Sequence, residues 1–169
     1  KKKGSKLLLS GDFSLGMGAT LPVGLDLKLV DFIIYKEYAT SGEVLNEKTG
    51  FFTQDFNGIP LNIEYKLKSV GGESFASYTS PNGDPYTNVK STKIILNLKI
   101  TSTQIFAGIP VTIIVLQPQD VITSTQYISK SIGVVYTKTL TTYNLDTAIA
   151  NQFGIPASNS QTQEEFLDI

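Results

Sequence analysis

The segment Lys93-Ile-Ile-Leu-Asn-Leu-Lys-Ile-Thr101 alternates apolar and polar side chains over most of its length. Its apolar residues recur at every second position, at Ile94, Leu96, Leu98 and Ile100. A period of two is typical of a β-strand with one buried and one solvated face. The next apolar run, Val111-Thr-Ile-Ile-Val-Leu116, is rich in β-branched residues and apolar on both faces, as in a central strand. Because Gly108 and Pro110 lie between the two runs, the sequence predicts a β-hairpin within the stretch 89–143.

A second amphipathic strand is predicted at 61–68, where apolar and polar residues alternate without a break. Its apolar face consists of Leu61, Ile63, Tyr65 and Leu67. Between 25 and 38 the apolar phase shifts by one residue, which indicates a strand with a bulge near Val30 and Asp31. A short amphipathic helix over 25–33 is the alternative. Further strands are predicted at 7–13, 51–56, 121–128 and 132–143.

The connections carry turn residues and one repeated motif. Phe56-Asn-Gly-Ile-Pro60 and Phe106-Ala-Gly-Ile-Pro110 share a pattern that we interpret as two equivalent strand starts in one sheet, with chance similarity as the alternative. Asn82-Gly83 predicts a tight turn. The glycine-rich segment 16–24 is predicted to be a flexible loop or an irregular edge, and 39–50 to be polar and rich in turns.

One helix is predicted, over 145–153. Asn144 or Asp146 can cap its start, and Gly154 can end it. The length of 169 residues is compatible with a single β domain over 1–169. Within it, 1–6 is expected to be a disordered N-terminal tether, and 157–169 a loosely packed tail or a late edge strand.

The composition argues against several classes of function. The chain has no Cys and no His, which removes thiol nucleophiles, disulfides, the usual zinc sites and any Ser-His-Asp triad. All 14 basic residues are Lys and the net charge is -1, so nucleic acid is not an expected partner. No cofactor is implied, and we expect the protein not to be an enzyme. A catalyst that uses carboxylates alone ranks behind the binding and structural hypotheses below.

Two features of the sequence are candidate sites. Asn82, Asp84 and Asn88 could suggest a calcium loop, but the spacing does not match an EF-hand and a plain turn is the better interpretation, so no metal site is predicted. Four tyrosines stand out as candidates for exposed or hydrogen-bonded rings: Tyr78, Tyr86, Tyr127 and Tyr136.

Three segments follow one another in a recognisable order: Pro81-Asn-Gly-Asp-Pro-Tyr-Thr-Asn-Val-Lys90, Gln119-Asp-Val121 and Tyr127-Ile-Ser-Lys-Ser-Ile-Gly-Val-Val-Tyr136. Together they resemble segments of secreted lipoprotein-like β-proteins of the Bacteroidota. The resemblance covers about residues 80–143. The chain departs from the pattern at Ser129, where alanine is usual, and at Tyr136, where lysine is usual. The resemblance implies an exported, non-catalytic protein in the periplasm or on the outer membrane, held through a removed N-terminal lipid anchor. It also implies a shape similar to the lipoprotein-carrier half barrels.

We therefore expect an all-β protein, an antiparallel open or half barrel with one short helix near the C-terminus, with a two-sheet β-sandwich as the alternative. The expected function is binding or carriage of a hydrophobic ligand or acyl chain in an aliphatic concavity. A structural or adhesive cell-surface module with a filled core is the alternative. The predicted ligand-lining residues are Leu61, Ile63, Tyr65, Leu67, Ile94, Leu96, Leu98, Ile100 and Phe153, the last of them on a helix that would close the concavity.

Overall fold

Antiparallel strands dominate the computed structural model, which describes residues 2–16 and 24–167. Consecutive strands are hydrogen-bonded neighbours within two sheets, and neither sheet closes into a barrel. The prediction of an open, antiparallel all-β fold with one short helix is confirmed. The described elements in chain order are β1 (Lys2–Lys3), β2 (Lys6–Gly16), β3 (Gly24–Lys36), β4 (Val44–Phe56), β5 (Ile59–Thr79), β6 (Pro85–Phe106), β7 (Ile109–Ser129), β8 (Gly133–Asn144), α1 (Thr147–Phe153) and β9 (Ser158–Phe166).

The larger sheet has the order β4-β5-β6-β7-β8-β9, and its three longest strands are longer than the sequence predicted. β5 and β7 have 21 residues each and β6 has 22. The predicted hairpin is confirmed as β6 and β7, but 121–128 is the second half of β7 and not a separate strand. β4 begins at Val44, so part of the region predicted as turns is strand. Register shifts between β6 and β7 let both strands continue past interruptions in the apolar pattern.

The repeated Phe-x-Gly-Ile-Pro motif forms two hairpin turns at the same end of the larger sheet. Asn57 and Gly58 have φ angles of 49° and 81°, and Ala107 and Gly108 have 49° and 79°. Two consecutive positive φ angles are the signature of a type I′ turn, which matches the twist of the flanking strands. The interpretation of the motif as two equivalent strand starts in one sheet is confirmed.

The smaller sheet has the order β1-β2-β3 and carries the predicted bulge. Leu9 pairs with Phe32 and Gly11 with Leu29, so Ser10 faces the two-residue bulge that includes Asp31. Asp31 has a φ of 47°, and its backbone N–H donates to Ser10 Oγ at 2.8 Å. The strand interpretation of 25–38 is therefore correct and the helical alternative is wrong. Of the loop predicted at 16–24, residues 17–23 lie outside the described part of the chain.

The prediction for the N-terminus needs correction, and the one for the C-terminus holds in its edge-strand form. Lys2 and Lys3 pair with Leu7 and Lys6 across a turn at Gly4, whose φ is 60°, so the segment 2–6 is not a disordered tether. The tail is also ordered: Ser158–Phe166 pairs with β8 from end to end, as in the edge-strand alternative. Most β9 side chains are exposed, so this strand is held by backbone hydrogen bonds to β8 and not by a buried apolar face.

The main core lies between the two sheets, on one face of the larger sheet. Two side chains of the larger sheet donate to carbonyl oxygens of β3: Ser69 to Ile33, and Thr92 to Ile34 at 2.7 Å. These hydrogen bonds fix β3 over β5 and β6. The buried apolar residues of this core come from β3, β5, β6, β7, β8 and α1: Leu27, Leu29, Phe32, Leu61, Ile63, Leu67, Leu96, Leu98, Ile100, Val115, Leu116, Val121, Ile122, Tyr143 and Phe153.

The predicted helix is present as α1 and packs on the same core. Asp146 caps it by accepting hydrogen bonds from the backbone N–H groups of Ala148 and Ile149. Gly154 ends it with a φ of 68°, as the sequence predicted. The Phe153 ring stacks on Phe56 with 5.9 Å between centroids, so α1 covers the core beside the β4–β5 turn.

Candidate functional site

The residues predicted to line a ligand concavity lie in the main core. Tyr65 and Ile94 are half-buried and the other seven are buried. They contact one another, the inward face of β3 and α1, which occupy the side where a ligand was expected. The aliphatic concavity is thus covered by the protein's own side chains. Carriage of an acyl chain there stays a prediction that would require β3 or α1 to move.

A different cavity, of about 390 Å³, opens where the end of β3 meets β5 and β6. A register shift in β5 between Gly71 and Ser74 and a φ of 51° at Asn88 interrupt the regular ladder beside it. Tyr35 lies at the end of β3, and Lys130 in the turn after β7. The residues that line it are mostly polar or aromatic: Tyr35, Glu37, Tyr38, Ser74, Phe75, Ala76, Asn88, Val89, Lys90 and Lys130.

Lys90 is the buried cation of this cavity. The residue is 8% exposed, and its ammonium donates to the backbone oxygen of Ala39 at 2.7 Å and to Ser74 Oγ at 3.2 Å. An ammonium group has three N–H donors, so these two bonds leave one donor available. Among the described residues, no carboxylate lies within 4.0 Å of its nitrogen. A buried charge held only by neutral oxygens is costly.

The other two charges of the cavity neutralise each other. Lys130 Nζ lies 2.7 Å from Glu37 Oε1, and this hydrogen bond and charge raise the pKa of Lys130. Burial, and secondly the Glu37 charge, raise the pKa of Tyr35, so its hydroxyl stays protonated at neutral pH. With Lys130 and Glu37 paired, the lining of the cavity keeps one net positive charge, on Lys90.

A smaller cavity of about 140 Å³ shares the Tyr35, Glu37 and Lys130 side of this site. Its further lining includes Leu7 of β2 and Ile128 of β7, and its surface is mainly apolar. The two cavities together place a buried cation and an apolar recess on either side of one ion pair. That arrangement matches a small molecule with an anionic head and an apolar tail.

The aromatic residues singled out from the sequence form a row on the opposite face of the larger sheet. Tyr127 stacks on Tyr78 at 4.7 Å and on Tyr136 at 5.4 Å, and Tyr136 stacks on Phe166 at 5.1 Å between centroids. The fourth tyrosine, Tyr86, is buried in the same cluster. Since the rings cover one another's faces, we interpret the row as cross-strand packing and not as a ligand platform.

A hydrogen bond at the end of this row perturbs one titration. Tyr136 donates to Glu164 Oε1 at 2.6 Å, and burial together with this bond raises the pKa of Tyr136 well above its ordinary value. The bond joins β8 to the edge strand β9. It therefore anchors the strand whose side chains contribute least to the core.

The turn considered as a calcium loop uses its polar groups internally. Asn82 Nδ2 donates to Asp84 Oδ2 at 3.0 Å, and the Gly83 N–H donates to the Ser80 carbonyl at 2.8 Å. Gly83 has a φ of 94°, which confirms the predicted tight turn. Asn88 lies apart from the turn, in β6, and lines the cavity of Lys90. Residues 2–16 and 24–167 contain no group of three or more acidic side chains placed to hold a metal ion.

Sequence reasoning did not identify the cavity, although one signal pointed to it. Lys90 and Thr92 are in phase with Leu96 on β6, so periodicity places a lysine on the buried face. Its partner Ala39 is 51 residues away, and that contact depends on how β3 ends over the larger sheet. Periodicity alone cannot give such a contact.

Comparison with known proteins gives no match to a protein family, a curated protein or a solved structure. No helix in the described ranges is both long enough and apolar enough to cross a lipid bilayer.

Proposed function

We propose that the protein is a non-catalytic binding protein and that the cavity of Lys90 holds the ligand. The observation that carries the proposal is the buried Lys90 ammonium, which has no carboxylate within 4.0 Å among the described residues and has one N–H donor without a partner. An anionic ligand would supply the missing countercharge, and a carboxylate accepts charge-assisted hydrogen bonds well. The exported location implied by the resemblance is part of this proposal.

The ligand class follows from the surroundings of the ammonium. The larger cavity supplies the ammonium group, and the apolar recess beside Leu7 and Ile128 could take a short chain. A small amphipathic carboxylate fits both features. This keeps the acyl-chain hypothesis but moves the site from the covered core to the end of β3.

Octanoate is a suitable probe, and 1-octanol is its uncharged counterpart. We expect octanoate to shift the backbone amide resonances of Ser74, Phe75 and Val89 in a saturable way, and octanol to bind more weakly at the same place. Lys90→Met keeps the length and packing of the side chain but removes its charge, so it should abolish the octanoate shifts. Lys99→Met, which changes a half-buried lysine on the other face of the same strand, is the matched control.

Two results would overturn the assignment. Octanoate shifts that survive Lys90→Met, or that lie away from the cavity, would show that the ammonium is not the anchor. Absence of octanoate shifts in the wild-type protein, combined with lower stability of Lys90→Met, would show that Lys90 only ties the Ala39 turn to β6.

A structural or adhesive surface module is the second candidate function. The observation that favours it is the covering of the predicted ligand-lining residues by β3 and α1. A module of this kind works through its outer surface and needs no interior ligand. It would be favoured if the octanoate experiment gave the second of the two results above.

A further inference from the structure

The hairpin end formed by β6 and β7 exposes apolar side chains around a tip. Ile105 is 74% exposed, Phe106 54% and Ile109 65%, and Val111 and Ile114 are also exposed. No charged residue occurs between Lys99 and Asp120, a stretch that contains the whole tip. Apolar surface patches of this kind are often functional.

The apolar side chains lie on both faces of the tip. Phe106 pairs with Ile109, and both continue the face that carries the core. Ile105 pairs with Pro110, and both point to the other face. A flat protein surface could cover one of these faces but not both, so the partner must surround the tip.

The tip also reaches beyond its neighbours. Leu61 pairs with Ser102, so the β4–β5 turn ends level with about residue 105 of β6. The β6–β7 turn at Ala107 and Gly108 therefore projects by about two residues, or roughly 7 Å. That reach would allow insertion while the exposed Asp55 of the β4–β5 hairpin stays outside.

The two turns differ in a way that favours an apolar tip. Their backbone angles are nearly the same, but Asn57 occupies the first position of one turn and Ala107 that of the other. Asn tolerates a positive φ better than Ala and is the usual residue there. Ala at this position replaces a polar amide with a methyl group at the apex, although the turn is then less favourable.

The area of the tip argues against a second copy of the chain. The exposed parts of its five apolar side chains amount to on the order of 500 Å², less than the ~800 Å² that each partner of a stable protein interface usually buries. A lipid bilayer has no such requirement, because it can surround a short ribbon and solvate both faces. From charge, shape and area we propose that the β6–β7 tip docks into the interfacial region of a lipid bilayer.

The chain contains no Trp, so a single Trp can report the insertion. Phe106→Trp keeps the tip aromatic, and we expect its emission to shift to the blue when phosphatidylcholine vesicles are added. Phe51→Trp is the matched control, because Phe51 is 74% exposed on β4, well away from the tip, and its emission should not change. Binding should be insensitive to added salt and to anionic lipid, since the tip carries no charge.

Substitution should weaken the docking without unfolding the protein. Phe106→Asn is expected to lower the vesicle partition coefficient about tenfold, whereas Phe51→Asn should leave it unchanged. Equal blue shifts at both Trp positions, or none at Phe106→Trp, would overturn the proposal. A blue shift that appears with protein concentration in the absence of vesicles would assign the tip to a second copy instead. Binding that needs anionic lipid and disappears in salt would place the contact elsewhere on the protein.

Discussion

Truncation of Leu96 tests whether the interior of the fold is packed or hollow. Leu96 is 1% exposed and lies between Leu67 of β5 and Ile122 of β7. Leu96→Ala removes three carbon atoms, which corresponds to a transfer free energy of about 2.4 kcal/mol. A packed surrounding adds the cost of the remaining void, so we expect a loss of about 3–4 kcal/mol in unfolding free energy.

A large-to-small change alone does not distinguish the two possibilities, so an enlarged side chain completes the experiment. Leu98 is fully buried in the same row, and Leu98→Phe should cost about 1–3 kcal/mol in a packed core. In a hollow, the larger ring would be tolerated or would stabilise the fold. Lys99→Ala is the control on the opposite face, where Lys99 is paired with Glu64 at 3.4 Å, and it should change stability by less than about 0.5 kcal/mol.

Denaturation in urea measures these differences, and thermal melting checks them. For a chain of this size, 3 kcal/mol corresponds to a fall in Tm of about 6–12 °C. Similar losses for Leu96→Ala and Lys99→Ala would contradict the assigned register of β6. A neutral or stabilising Leu98→Phe would show that the core contains free volume and would revive the predicted aliphatic ligand site.

Three further outcomes are expected. Phe153→Ala should uncover part of the core and increase the binding of an environment-sensitive hydrophobic dye while the far-UV β signal survives, and unchanged dye binding would show that α1 is not a cover. Gly72→Ala should destabilise the fold by about 1–3 kcal/mol in urea, because the new Cβ would lie 2.7 Å from the Ser91 backbone oxygen; wild-type stability would contradict this close approach. Because the pKa of Tyr136 is higher in the folded than in the unfolded protein, the protonated tyrosine stabilises the fold. This contribution to stability is complete below the unfolded pKa of about 10 and is lost as the pH rises through the folded pKa. Tyr136→Phe should therefore lose less stability between pH 8 and pH 11 than wild type, and an equal loss would mean that the Glu164 bond has no linkage to folding.

Alternation of side chains was sufficient to predict the central strands and their buried faces. It succeeded at 61–68 and 93–101 because each strand buries one face only, so that burial and sequence share a period of two. It failed at 44–50 and at β9, where most side chains are polar or exposed. Those edge strands are held by backbone hydrogen bonds to a neighbour, and a backbone ladder leaves no trace in side-chain chemistry.

The candidate site was beyond prediction for a related reason. Lys90 could be assigned to the buried face by its phase, but its environment depends on Ala39 and Tyr35 at the end of β3. The smaller sheet packs across the larger one through contacts that are distant in sequence, such as Thr92 with Ile34. Since the periodicity of a strand does not specify which residues of two sheets contact each other, the cavity between the sheets can be located only from the three-dimensional structure.

The two proposed sites lie far apart on one continuous strand, which has a physical consequence. Lys90 and Phe106 are both in β6, 16 residues apart, which corresponds to roughly 50 Å along an extended strand. If the tip docks on a bilayer with β6 upright, the cavity is held several Debye lengths from the headgroups at physiological salt. The charge of the membrane surface then has little influence on an anion at Lys90, so affinity for such a ligand is set by the cavity itself. Docking at one end and binding at the other can therefore coexist without competing for the same lipid.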